Sequence, residues 1–268
     1  MPPAAWPQRQ HSRAVPAGGL DWPVQVAGRG PTLLLLHGSG GSAHSWADLL
    51  PRLAPHATVV ALDLPGHGFT TGARLSDLTL PRECEALAAL LLRWALDAPA
   101  PPRAVLGLNP SLVAPPALYM QWVAPLLNPV ATSSAVSGVL ARVAGRTGLV
   151  DKLLDSTGSV LPEAQRHGYR RLFADPNHVR GAMGFMAAAD LPGLLSTCHR
   201  LPCAAAFVLG RGDRWVHEAP LRAMLARHLP QAELQAWAGG HLLHEVEPAR
   251  AADWVLHHLH RVCAGTAR

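Results

Sequence analysis

The chain has 268 residues, 49% of them hydrophobic and 15% charged. That is enough apolar material for one large domain with a buried core. The formal charge of +5 is scattered, with no run of five or six like charges, which argues against a nucleic-acid groove.

In chain order, "LDWPVQVAG" (20–28) alternates apolar and polar residues, the period of a half-buried strand. "PTLLLLHG" (31–38) is a continuous apolar run ending in glycine, as expected of a strand buried on both faces of a parallel sheet. "HSWADLLPRLA" (44–54) has apolar residues at helical spacing, and "ATVVALDLPGHG" (57–68) reads as a second buried strand running into a Gly-rich loop. "TLPRECEALAALLLRWAL" (79–96) predicts a helix with Pro81 in its first turn. This order of strands and helices predicts a mostly parallel α/β sheet. Residues 111–200 break the alternation with apolar stripes punctuated by Pro and Gly, and read as an inserted helical cap. "PCAAAFVLGRGD" (202–213) returns to a buried strand, followed by a helix, the strand "AELQAW", the loop "GGHLLHE" and a last helix. The expected organisation is a core over 1–110, a cap over 111–200 and the rest of the core over 201–268.

Four cysteines show neither a CxxC nor a zinc spacing. The opening "MPPAAWPQRQHSR" lacks the apolar stretch of a secretory signal, and no apolar run is long enough to span a bilayer. A cytoplasmic protein with reduced thiols is expected, with no transmembrane segment and no nucleic-acid partner.

"LLLLHGSGGSAHSW", "VVALDLPGHGFT", "LGRGDRWV" and "GGHLLHE", in that order, resemble the α/β-hydrolase family. "WPQRQHSR", "GLNPSL", "DSTGS" (155–159) and "DPNHVRGAMGFMA" (175–187) narrow the resemblance to the magnesium-chelatase accessory proteins of bacteriochlorophyll synthesis. The resemblance implies a role near insertion of Mg²⁺ into protoporphyrin, with magnesium chelatase or a tetrapyrrole as partner and no cofactor.

Within it, Gly38, Ser39 and Gly40 occupy the loop whose backbone N–H groups hold an oxyanion. The plainer alternative is a Gly-rich turn with no ligand. Asp213 stands at the triad acid's position, where a carboxylate would orient an imidazole. It could equally be a turn residue capping the next helix. His241 would be the general base, since imidazole titrates near neutrality, with His244 the second choice. In "HHLH" only His257 and His260 share a helix face, and no carboxylate or cysteine joins them, so no metal site is expected. Asp63 tightens the turn after its strand. Trp46, Trp122 and Trp215 are candidate pocket walls, although core packing explains them as well.

The nucleophile is the missing piece. No G-x-S-x-G occurs anywhere in the chain. Either "RAVLGLNPSL" (103–112) is the strand that leads to the cap, and a strand, elbow and helix of about 30 residues are absent. Or it is a degenerate elbow strand, with Asn109 in the nucleophile's place and Pro110 where a backbone N–H is needed. Both routes leave the site without its usual nucleophile. If the elbow strand is gone, the sheet is one strand short, and Ala104–Leu108 is expected to close the gap by pairing with Leu33–Leu36 on one side and Ala205–Leu209 on the other, with Asn109 near the vacant nucleophile position, facing His241. Three functions remain open: an accessory protein with an incomplete triad, an active serine hydrolase using an unconventional serine such as Ser39 or Ser111, or a chain that has lost function through a deletion.

Overall fold

The computed structural model describes residues 1–94, 102–113 and 124–264. Trp122 lies outside them. Two compact units emerge: Met1–Pro99 with Leu118–Asp151 and Glu163–Ala189, and Ala100–Ala117 with Lys152–Pro162 and Asp190–Arg268.

The first unit holds a four-stranded sheet in the order β1-β2-β4-β3. Strand β1 (Ser12–Ala17) and β2 (Leu20–Ala27) form an antiparallel hairpin, β2 also pairs antiparallel with β4 (Thr58–Leu62), and β3 (Thr32–Leu36) runs parallel to β4. Gly18 and Gly19 turn the hairpin with positive φ at both positions, the conformation a two-residue hairpin loop demands. The core gathers Leu20, Trp22, Val24, Val60, Leu62, Leu64 and Leu90, the last from the helix Leu80–Trp94. Trp22 is fully buried, and its indole N–H donates to the Ala17 carbonyl at 3.0 Å, so the ring is buried without stranding its polar atom.

The helix expected over 44–54 is broken. A 3₁₀ turn spans Ala43–Trp46 and a single helical turn spans Leu50–Leu53. Pro51 explains the restart: in a first turn its missing N–H has no intrahelical partner to lose, whereas further along one helix it would cost a bond. The region read as a cap is helical, with six α-helices among the described residues between Ala124 and Thr197. One of them, Pro176–Ala188, packs Gly181 against the carbonyl of Gly66 so closely that any side chain there would collide with backbone.

The second unit holds a three-stranded parallel sheet: β5 (Ala104–Leu108), β6 (Ala204–Gly210) and β7 (Glu233–Trp237). Leu221, Met224 and Leu225 of the helix Glu218–His228 pack on Ala205, Phe207 and Leu209 of β6.

The expected closure of the sheet is therefore corrected. Strand β5 pairs with β6 from Ala104 to Leu108 as expected, but among the described residues β3 pairs only with β4. The expectation rested on the penalty for leaving strand edges unsatisfied in a buried gap, about 1–3 kcal/mol per group. Leu36 is 42% exposed and Val105 is 37% exposed, so neither strand is enclosed along its whole length as the expectation assumed, and the penalty for unpaired groups is smaller wherever water reaches them. Nor is β5 free to move: Asn109, immediately after it, ties it to the backbone on the β6 side.

Candidate active site

In the first unit the Gly-rich loop follows β3. His37 and His178 hold this loop through neutral imidazoles. His37 donates from Nδ1 to the Gly38 carbonyl at 2.7 Å and accepts at Nε2 from the Leu64 N–H at 2.9 Å. His178 donates from Nε2 to the Gly40 carbonyl at 3.2 Å and accepts at Nδ1 from the Gly68 N–H at 3.0 Å. Each ring thus bridges the Gly-rich turn to the loop after β4, and each needs one protonated and one bare nitrogen to do so. Burial holds both pKa values well below the ordinary 6.5, with the neighbouring His67 adding to the effect. His67 lies between them, 5.2 Å from His37 and 5.6 Å from His178 by ring centroids, and burial lowers it to about 4.

Gly38 and Ser39 are exposed, and Gly40 takes φ +76, open to glycine at little cost. Ser39 donates its hydroxyl to the Ala182 carbonyl at 3.2 Å. No hydrogen bond among the described residues takes up its backbone N–H. Asp63 braces the neighbouring loop, accepting from the Ala43 N–H at 2.7 Å and the Phe69 N–H at 2.8 Å; burial raises its carboxyl to about 6.

In the second unit the structure brings Asp213 and His241 together. His241 Nδ1 lies 2.7 Å from Asp213 Oδ2, and the acid's other oxygen accepts from the N–H groups of Trp215 and Val216 at 2.8 and 3.0 Å. Those bonds fix the carboxylate at the start of its loop, so it both caps the turn and orients the imidazole. With Nδ1 donating to the acid, Nε2 is the basic nitrogen. It has no hydrogen-bond partner among the described residues. His244 is buried behind it, and burial lowers its pKa to about 3, so it stays neutral.

Besides the Asp213 loop, one turn and one side chain brace this constellation. The turn after Ser156 accepts the His241 N–H at the Thr157 carbonyl, 3.0 Å, and the Leu242 N–H at Ser159 Oγ, 2.8 Å. Gly158, at φ +75, sits so close to the Gly212 carbonyl that a side chain there would clash. "DSTGS" was legible only as a motif; its work is to seat the His241 loop. Asn109 is the third brace. It is 4% exposed, its Oδ1 accepts from the Gly210 N–H at 2.6 Å, and its Nδ2 donates to the carbonyls of Gly240, at 2.9 Å, and His241. Asn109 was expected to face His241; it does so through backbone, with its amide N–H groups donating to the carbonyls of Gly240 and His241.

Trp46 is core, at 7% exposure, whereas Trp215 is 38% exposed and its ring lies 5.0 Å from His241. The His257 ring meets His258 edge-on at 5.4 Å, and no three His, Cys, Asp or Glu side chains among the described residues converge as metal ligands. No helix among them is long and apolar enough to cross a membrane.

Against known proteins, residues 31–100 match a family model described as the alpha/beta hydrolase fold. The chain is 33% identical over 271 residues to the magnesium-chelatase 30 kDa subunit of Rhodobacter capsulatus, covering 91% of this chain and 93% of that protein. It is 28% identical over 265 residues to the pimeloyl-[acyl-carrier protein] methyl ester esterase of Xanthomonas campestris, covering 90% and 98%. Among solved structures, an esterase from Thermogutta terrifontis superposes with a TM-score of 0.71 at 16% identity, over 94% of this chain and 98% of that one. The alignment with the chelatase subunit uses 91% of 268 residues, about 244, across its 271 positions, so about 27 positions of the relative have no counterpart here. That deficit is the size of one strand–turn–helix unit, about 30 residues.

Proposed function

The chain belongs to the family of the magnesium-chelatase 30 kDa subunit, on the α/β-hydrolase fold, and on that premise we propose that it is an accessory protein of bacteriochlorophyll synthesis. It acts beside the insertion of Mg²⁺ into protoporphyrin, with magnesium chelatase as its protein partner and a tetrapyrrole as its ligand. The single observation that carries the non-hydrolytic part is His241: oriented by Asp213, yet with no nucleophile at Nε2 among the described residues. An Asp–His pair alone can hold or accept a proton, but acyl transfer needs a third group to attack. Gly38, Ser39 and Gly40 supply a loop with a spare N–H suited to an oxygen of a bound ligand. The alignment deficit and the absent G-x-S-x-G support a lost elbow in place of a displaced one.

The test is a magnesium-chelatase assay with the purified chain added at stoichiometric amounts. Formation of Mg-protoporphyrin is expected to rise with added protein and to rise equally with Ser39→Ala and Ser111→Ala. A rate that is unchanged across the titration contradicts the reading.

A further inference from the structure

Trp215 is the one exposed aromatic side chain beside the Asp213–His241 pair, and it is not loose. Its indole N–H donates to Ser156 Oγ at 3.2 Å, its backbone N–H donates to Asp213 Oδ1 at 2.8 Å, and its ring packs on His241 at 5.0 Å with 44° between planes. A Trp held on three sides, yet 38% open to water, keeps apolar surface exposed where its neighbours could have covered it. The same loop carries cations. Arg211, Arg214 and His217 are all exposed. Arg211 has a distant counter-ion in Glu218, at 3.8 Å, whereas Arg214 makes no ion pair among the described residues. The Arg214 stem passes close to the turn at Gly158.

We infer that Trp215, flanked by His241 and Arg214, is a platform for a planar conjugated anion, stacked on the indole with its carboxylate paired to Arg214. An exposed rigid indole favours flat π-systems, because stacking adds to area burial without ordering a mobile side chain. Guanidinium matches a carboxylate in plane and shape. A linear fatty acid could pair its carboxylate with the guanidinium but would gain nothing from stacking. The inference rests on the tetrapyrrole ligand of the proposed function and gives it a place and a mode of binding.

The experiment titrates the full chain with protoporphyrin IX, followed by Soret absorbance, beside the uncharged dimethyl ester and palmitate. Saturable binding of the free acid is expected, tighter than that of the ester and not displaced by palmitate. Trp215→Ala is expected to weaken it about tenfold and Trp215→Phe only about twofold to threefold, since a stacked ring is replaced by a smaller one. Arg214→Ala is expected to remove the preference for acid over ester. Equal binding by Trp215→Ala and the parent, equal binding of acid and ester by the parent, displacement by palmitate, or no saturable binding would each overturn the site. If Trp215→Ala fails to fold, by melting temperature, Trp215→Phe and Arg214→Ala decide. Chelatase stimulation without porphyrin binding at Trp215 rejects this site and leaves the accessory role; binding at Trp215 without stimulation does the reverse.

Discussion

Asn109→Ala is expected to lower stability by about 3–5 kcal/mol. The side chain satisfies the Gly210 N–H and the carbonyls of Gly240 and His241 at a site 4% exposed. Removing it strands those groups, at about 1–3 kcal/mol for each that water cannot reach. Asn109 also holds φ at +49, which asparagine tolerates and alanine resists by about 1–2 kcal/mol. At about 2–4 °C per kcal/mol for a chain of this size, the melting temperature should fall by roughly 10 °C. Asn109→Gly loses the same bonds without the backbone strain, so it should fall less. A melting temperature for Asn109→Ala within about 2 °C of the parent would show that the brace is not holding β5 and the His241 loop.

Mild acid is expected to weaken the fold. His37 and His178 are held well below 6.5 by burial, His67 is lowered to about 4 and His244 to about 3. In the unfolded chain all four protonate near 6.5; in the folded chain they stay neutral. The unfolded state therefore binds more protons below 6.5, and the stability these residues contribute is complete above that pH and lost as pH falls through it. Each contributes about 1.4 kcal/mol per pH unit in that window. Two buried carboxyls work the other way: burial raises Asp63 to about 6 and Glu83 to about 8, so they take up protons in the folded state and gain stability as pH falls. Four groups against two leave a net loss of roughly 2 kcal/mol between pH 7.5 and 5.5. Thermal melting at the two values should show a drop of roughly 5 °C at the lower pH. An equal or higher melting temperature at pH 5.5 would mean that the histidine bridges of the 37–41 loop are not made by neutral rings.

Much of the fold was written in local pattern. The apolar runs at 31–38, 57–62 and 202–210 are strands because nothing in them demands water, and the run at 79–96 is a helix over Leu80–Trp94. Strand β1 went unread: "SRAVPA" is polar enough, and carries a proline, to pass for a leader to the hairpin. The Asp213–His241 pair was readable because each follows a strand of the family's order. The bridges of His37 and His178 were not, since both depend on tautomer and those of His178 join residues 110 and 138 positions apart. Asn109 misled for a related reason. Its position promised a ligand, while its amide complements backbone groups more than 100 residues away. The pairing of β5 with β6 alone, among the described residues, escaped because the energetic argument assumed strands enclosed along their whole length, whereas Leu36 and Val105 are exposed.

The central claim is that the site keeps its acid and base but lacks a nucleophile, and a fluorophosphonate probe tests it most directly. Loss of a triad serine costs about 10⁶ in kcat, which leaves ordinary ester hydrolysis near background. Incubating the chain with the probe and measuring intact mass should give no adduct, with p-nitrophenyl butyrate hydrolysis indistinguishable from buffer. A single labelled serine, at Ser39, Ser111 or elsewhere, whose replacement by alanine abolishes both the adduct and a measurable turnover, would contradict the account and make the chain a serine hydrolase.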